Sequence, residues 1–175
     1  MNPEYLDDIG DTCHRDHPEW GAAGRYSDTT GRNDIVLCKV ARDNKNIYFY
    51  VRTQAKLTPQ TDASWMRLFI NTLGDPNRGW EGYNFVINRV ITAKNTSIFE
   101  TSKAGWNWES IGEVSFRTRG CEMELAIPRK ALDLDDISIP LRFEFKWADN
   151  MQRPNTDEFL LSGDAAPKCT IQLSV

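Results

Sequence analysis

Between Leu141 and Trp147 the chain alternates strictly, with Leu141, Phe143, Phe145 and Trp147 on one side and Arg142, Glu144 and Lys146 on the other. A period of two marks an extended strand with one face in a core and one toward water. Ile35 to Ala41 and Ile47 to Thr53 flank Asp43, Asn44, Lys45 and Asn46, a composition that suits a tight turn, so the two runs predict an antiparallel hairpin. In its second arm Ile47, Phe49 and Val51 share one face, and Tyr48, Tyr50 and Arg52 share the other. Further short strands are expected at 66–71, 84–92, 97–101, 113–118, 121–127 and 169–175. Only 128–134 suits a helical turn, with Pro128 at its start. About nine strands with at most one short helix predict an all-β fold, because parallel strands would need helices between them. The expected form is a two-sheet antiparallel β-sandwich, immunoglobulin-like or jelly-roll-like.

The chain has 175 residues, enough to bury a core as one domain, 1–175. Residues 1–33 carry Gly10, Pro18, Gly21, Gly24 and Gly31 among many charges, and read as an irregular segment packed on that domain. The net charge of -4 and the lack of a basic stripe argue against nucleic acid as a partner. No apolar run approaches the roughly 20 residues that span a bilayer. The stretch MNPEYLDDIGD is acidic and polar, unlike a signal peptide, which leaves localisation open.

Catalytic signatures are absent. The histidines, His14 and His17, sit in HRDH just before Pro18, with no third ligand spaced to complete a metal site. No GxSxG elbow, HExxH, P-loop or dinucleotide fingerprint occurs. Glycoside hydrolysis needs two carboxylates held about 5 to 9 Å apart, and the best-spaced acids, Glu122 and Glu124, look like the polar side of a strand. Cys13, Cys38, Cys121 and Cys169 lack metal-ligand spacing. Cys38 and Cys121 read as buried thiols, while the even count leaves one or two disulfides open in an exported protein.

Six tryptophans and a loop rich in Gly, Asn and Asp point elsewhere. Flat indoles stack on the apolar faces of sugar rings, while amides, carboxylates and cations satisfy hydroxyls. Trp147 belongs to the Phe143 and Phe145 face and is expected in the core. Trp106 and Trp108, two apart in GWNWES, share a side, either as an exposed platform or packed over the sheet. Trp80, between Gly79 and Gly82, is the candidate exposed loop ring, with anchoring into the core as the alternative. Asn71, Asp75 and Asn77 offer hard oxygen donors around Gly74, a composition that suits calcium but equally a plain turn.

The succession NDIVLCKVARDNKNIYFYVRT, W-x-R-LFIN, GWEGYNFVINR, CEMELAIPRKAL, FEFKWADN and SGDAAP resembles the family 9 carbohydrate-binding modules and the wider DOMON-like sandwiches, from about Asp34 to Pro167. The resemblance implies a non-catalytic glycan-binding β-sandwich beside a polysaccharide-active catalytic domain. It further implies a secreted, periplasmic or cell-surface setting, with no cofactor required and structural calcium common. Asn88 and Lys146 match strand positions that contribute to the sugar site. Arg67 and Asn71 stand where the family favours acidic residues, and no clear pair of clamp tryptophans can be placed. Trp65, Arg67, Trp80, Asn88 and Lys146 are the expected glycan contacts. An interaction domain without a sugar site is the alternative, and a glycoside-active enzyme comes third.

Overall fold

The computed structural model describes residues 4–12, 15–18, 25–156 and 158–167. Its strands are β1 (Glu4–Leu6), β2 (Arg15–Pro18), β3 (Arg25–Asp28), β4 (Ile35–Arg42), β5 (Asn46–Thr53), β6 (Arg67–Asn71), β7 (Phe85–Ala93), β8 (Thr96–Ser102), β9 (Trp108–Arg119), β10 (Glu122–Pro128), β11 (Glu144–Asp149) and β12 (Asp164–Ala166). Ten form one sheet in the order β1-β4-β5-β10-β9-β8-β7-β6-β11-β12, while β2 and β3 make a separate two-stranded ribbon. Every ladder is antiparallel, so the fold is all-β as the sequence implies.

The expectation of two separate sheets needs correction. At 12 residues β9 is long enough to pair twice, its Trp108–Ser115 part with β8 and its Phe116–Arg119 part with β10. The sheet therefore turns a corner through β9 without breaking. At the far end the backbone N–H of Ile35 in β4 donates to the carboxylate of Asp164 in β12. A single sheet thus curls into a nearly closed barrel.

Alternation decides what fills the interior. In β5 the inward Ile47, Phe49 and Val51 are fully buried, and β10 contributes Met123, Leu125 and Ile127 opposite them. Leu141, Phe143, Phe145 and Trp147 point into the same core as expected, and the Phe49 ring meets Phe143 and Phe145 edge-on, with centroids 5.8 and 5.7 Å away. Edge-to-face contact suits the aromatic quadrupole and fills the space between strands. The expected turn after Pro128 is a 3-10 turn at Arg129–Leu132, and a single α turn forms at Glu158–Leu161. The latter is held by Glu158, whose carboxylate accepts the Gln152 N–H at 3.0 Å.

Residues 1–33 hold β1, β2 and β3, strands too short for a period to show. The strand expected at 169–175 lies outside the described residues, as do Cys13, His14, Trp20 and Cys169. Cys38, buried in the core, and Cys121, half-buried, are free thiols. Among the described residues no helix is long and apolar enough to cross a membrane.

Candidate binding face

In β6, Leu68 and Ile70 point into the barrel, which turns Arg67, Phe69 and Asn71 outward. Register carries this outer face across the sheet: Phe69 lies opposite Val86 in β7 and Lys146 in β11, Val86 opposite Glu100 in β8, and Ser102 opposite Trp108 in β9. An outer face is ordinarily solvated, but an aromatic layer covers this one. Phe69 is fully buried beneath it, with the rings of Trp80, Tyr83, Phe159, Trp106 and Trp108 at 5.1, 5.6, 5.6, 6.3 and 6.3 Å.

The loop between β6 and β7 supplies Trp80 by doubling back. The N–H of Trp80 donates to the Tyr83 carbonyl and that of Tyr83 to the Trp80 carbonyl, both at 2.8 Å. Gly79 permits the reversal, since its φ is +67° and a Cβ there would lie 2.2 Å from the Tyr83 oxygen. Trp80 is consequently buried, the anchoring alternative rather than the exposed ring. Trp106 and Trp108 are half-buried at the rim, edge-to-face at 5.7 Å, and the Trp106 ring meets Trp80 at 4.7 Å. The pair thus packs over the sheet, with part of each ring left at the surface.

The five expected glycan contacts do not converge on one spot. Arg67 is half-buried on the outer face, its guanidinium 5.9 Å from the centre of the Trp106 ring. Trp65 is buried on the inner side, 5.6 Å from the Phe116 ring, and its indole N–H donates to the Thr58 carbonyl at 3.0 Å. Asn88 sits at a bulge of β7 with φ +65°, and its amide donates to the Met66 carbonyl at 2.8 Å, which holds two strands together. Trp65 and Asn88 do share a cleft of about 400 Å³ with Gln60, Ser64, Arg89 and Thr92. Lys146 is buried on β11 and its ammonium donates to the Pro167 carbonyl.

Two site residues were not legible in the sequence. Arg89 in β7 makes a forked contact with Glu100 in β8, with its Nε–H donating at 2.8 Å. Alternation alone puts each on a face but not beside the other, since that needs the register. The charges around Arg67 are already paired, Glu100 with Arg89 and Asp149 with Arg32 at 2.8 Å. Among the described residues Arg67 itself enters no ion pair within 4.0 Å, and its Nε–H has no acceptor. Burial, reinforced by Arg89, lowers its pKa to about 10. The buried indole N–H of Trp108 also lacks an acceptor.

The oxygens weighed for calcium are engaged in turns. Asn71 Oδ1 accepts the N–H groups of Leu73 and Gly74 at 3.0 and 3.1 Å, and Asp75 Oδ1 accepts that of Asn77 at 2.9 Å. The carboxylates beside this loop belong to Glu81 and Glu144, which line a cleft of about 350 Å³ with Asn71 and Tyr83. A different set has metal-ligand geometry: one oxygen each from Asp7, Asp11 and Asp164 fall within 4.8 Å of one another. Burial, with Asp11, Asp7 and Asp34 nearby, raises the Asp164 pKa to about 8. Residues so far apart in the chain leave no motif. Glu122 accepts the Tyr50 hydroxyl at 2.7 Å on the polar side of β10, while Glu124 is exposed.

No family model, curated protein or solved structure matches the chain.

Proposed function

We propose that this chain is a non-catalytic carbohydrate-binding domain that grips a glycan on the outer face at Trp106, Trp108 and Arg67. The observation that carries the reading is the half-buried pair of perpendicular indoles, 5.7 Å apart on a rigid sheet, with an unpaired guanidinium over one of them. Indole rings offer apolar area at low entropic cost to the C–H faces of a pyranose, and a packed layer beneath holds them in place. Stacking and hydrogen bonding need no cofactor, and a calcium ion held by the carboxylates would serve structure alone. The resemblance to family 9 modules supports the same reading. It also suggests a sandwich whose two sheets join through β9, an adjoining polysaccharide-active catalytic domain, and a secreted, periplasmic or cell-surface setting.

The test is calorimetry and tryptophan fluorescence against a panel of neutral and acidic polysaccharides, with Trp108→Ala as control. Binding that Trp108→Ala abolishes supports the proposal, and no binding to any glycan refutes it. A second reading, an interaction domain docked on a neighbour, draws on Ile137 and Ile139, two residues apart and 64% and 62% exposed. Those side chains would then become protected when the neighbouring domain is present.

A further inference from the structure

We infer that the ligand of this face is an acidic glycan, whose carboxylate or sulfate group is received by Arg67 while a neighbouring ring stacks on the Trp106 and Trp108 pair. The inference rests on the glycan-binding reading and narrows it to a substrate class.

The argument starts from donors without acceptors. A part-buried guanidinium is costly unless a carboxylate compensates it and its N–H groups find oxygen. Arg89 and Arg32 each have that compensation, from Glu100 and Asp149. Arg67 has the face of Trp106 and a long contact of 3.5 Å to the Met151 carbonyl. The two acids nearest in effect, Asp149 and Glu100, are occupied by other cations. The indole N–H of Trp108 is a second donor without an acceptor in the same aromatic layer. Trp147 Nε1 and Arg129 Nη1 also lack acceptors, but those side chains are wholly enclosed. The Arg67 Nε and Trp108 Nε1 atoms are enclosed too, but their side chains are only half-buried, so the rest of the Arg67 guanidinium and part of the Trp108 ring face the surface.

What would compensate the Arg67 cation beside these indoles is an oxygen-rich, acceptor-only anion next to an apolar ring face. A uronic acid or a sulfated sugar has that combination. A guanidinium binds carboxylate and sulfate oxygens through parallel N–H bonds, and an ammonium cannot copy that fork. A neutral sugar would leave the cation uncompensated, since each hydroxyl brings a donor along with its lone pairs.

The experiment is affinity electrophoresis and fluorescence titration of the whole chain with four probes: polygalacturonate, its methyl ester, dextran sulfate and dextran. Expected are retardation by polygalacturonate, dextran sulfate or both, and at least tenfold weaker binding of the methyl ester and dextran. The polygalacturonate and dextran sulfate arms separate a carboxylate from a sulfate ligand. Arg67→Gln should weaken acidic binding at least tenfold, and Arg67→Lys should restore little of it. Arg119→Gln, which removes the same charge at an exposed position outside the face, should change nothing. Near-UV circular dichroism of each variant confirms that the aromatic layer is intact. Should Arg67→Gln not fold, Arg67→Lys, which keeps the charge but loses the fork, must still weaken acidic binding. Equal binding of neutral and acidic probes, or equal losses in Arg67→Gln and Arg119→Gln, overturns the inference and leaves the glycan reading standing. Silence toward all four probes and toward the wider panel overturns both.

Discussion

Asp164, in the last described strand, accepts the backbone N–H of Ile35, which opens β4, across 129 positions of sequence. That bond brings the two ends of the sheet together at a carboxyl surrounded by other acids. Burial, with Asp11, Asp7 and Asp34, moves its pKa from 3.8 to about 8, so the folded chain holds a proton there that the unfolded chain has released. A folded pKa above the unfolded one contributes stability that is complete below about pH 4 and is lost as pH rises toward about 8. Urea unfolding midpoints should therefore decline across that window, and Asp164→Asn, which keeps an acceptor but cannot ionise, should flatten the decline. A steeper decline in the variant would contradict this account.

Trp80 and Trp108 belong to one aromatic layer but should respond differently to truncation. Trp80 is 3% exposed and touches Phe69, Tyr83, Trp106 and Phe159, so Trp80→Ala opens a large cavity and should cost about 3–5 kcal/mol. Trp108 is half-buried at the rim, and Trp108→Ala should cost less stability while removing ligand binding. Chemical denaturation of both variants beside a binding titration distinguishes the two roles.

Gly163 and Gly74 make a second contrast. A Cβ at Gly163 would lie 1.9 Å from the Asp149 carbonyl oxygen, against backbone that cannot step aside. Gly163→Ala should lose roughly 3 kcal/mol or fail to fold. At Gly74 nothing lies within 4 Å, and only the φ of +64° resists substitution. Gly74→Ala should lose about 1–2 kcal/mol. Thermal melts of the pair read the difference between a steric and a conformational demand.

The thiols should divide by depth. Burial pushes the Cys38 thiol well above its usual pKa, whereas Cys121 is half-buried at the turn into β10. In a Cys13→Ser, Cys169→Ser background a thiol reagent should label Cys121 in the native protein and Cys38 only on unfolding. Rapid native labelling of both would contradict the placement of β4 in the core.

Much of the interior could be read from side-chain alternation, since inward and outward positions in β5, β10 and the approach to β11 follow directly from residue order, whereas a bulge in β4 puts Ile35 and Cys38 on one face out of phase. The continuity of the sheet could not be. It depends on β9 extending back to Trp108, and the Trp108–Gly112 stretch mixes aromatic, polar and glycine residues with no period. The candidate binding face is hidden in the sequence for a related reason. Arg89 meets Glu100 through register, Trp80 turns inward because Gly79 lets its loop double back, and the Asp7, Asp11 and Asp164 group exists only once the two ends of the sheet meet. Asn88 is expected at the glycan because it matches a strand position of the family, but its amide supports a bulge. Polarity in a sequence marks a group that needs a partner and does not reveal whether that partner is a ligand or the chain itself.

The double pairing of β9 bears on how well Trp108 can keep its place. A strand held by one neighbour can slip by a residue, and such a slip turns every side chain over. Here Trp108 is matched to Ser102 at one end while Phe116 and Arg119 are matched to Leu125 and Glu122 at the other. A slip of the whole strand would have to break both ladders and expose Val114 and Phe116 from the core, and the bulge between Ser110 and Gly112 is what turns Trp108 to the outer face. The indole at the rim is thus carried by a strand whose other half is fixed in the hydrophobic interior, and the bulge between the two halves sets which way it faces.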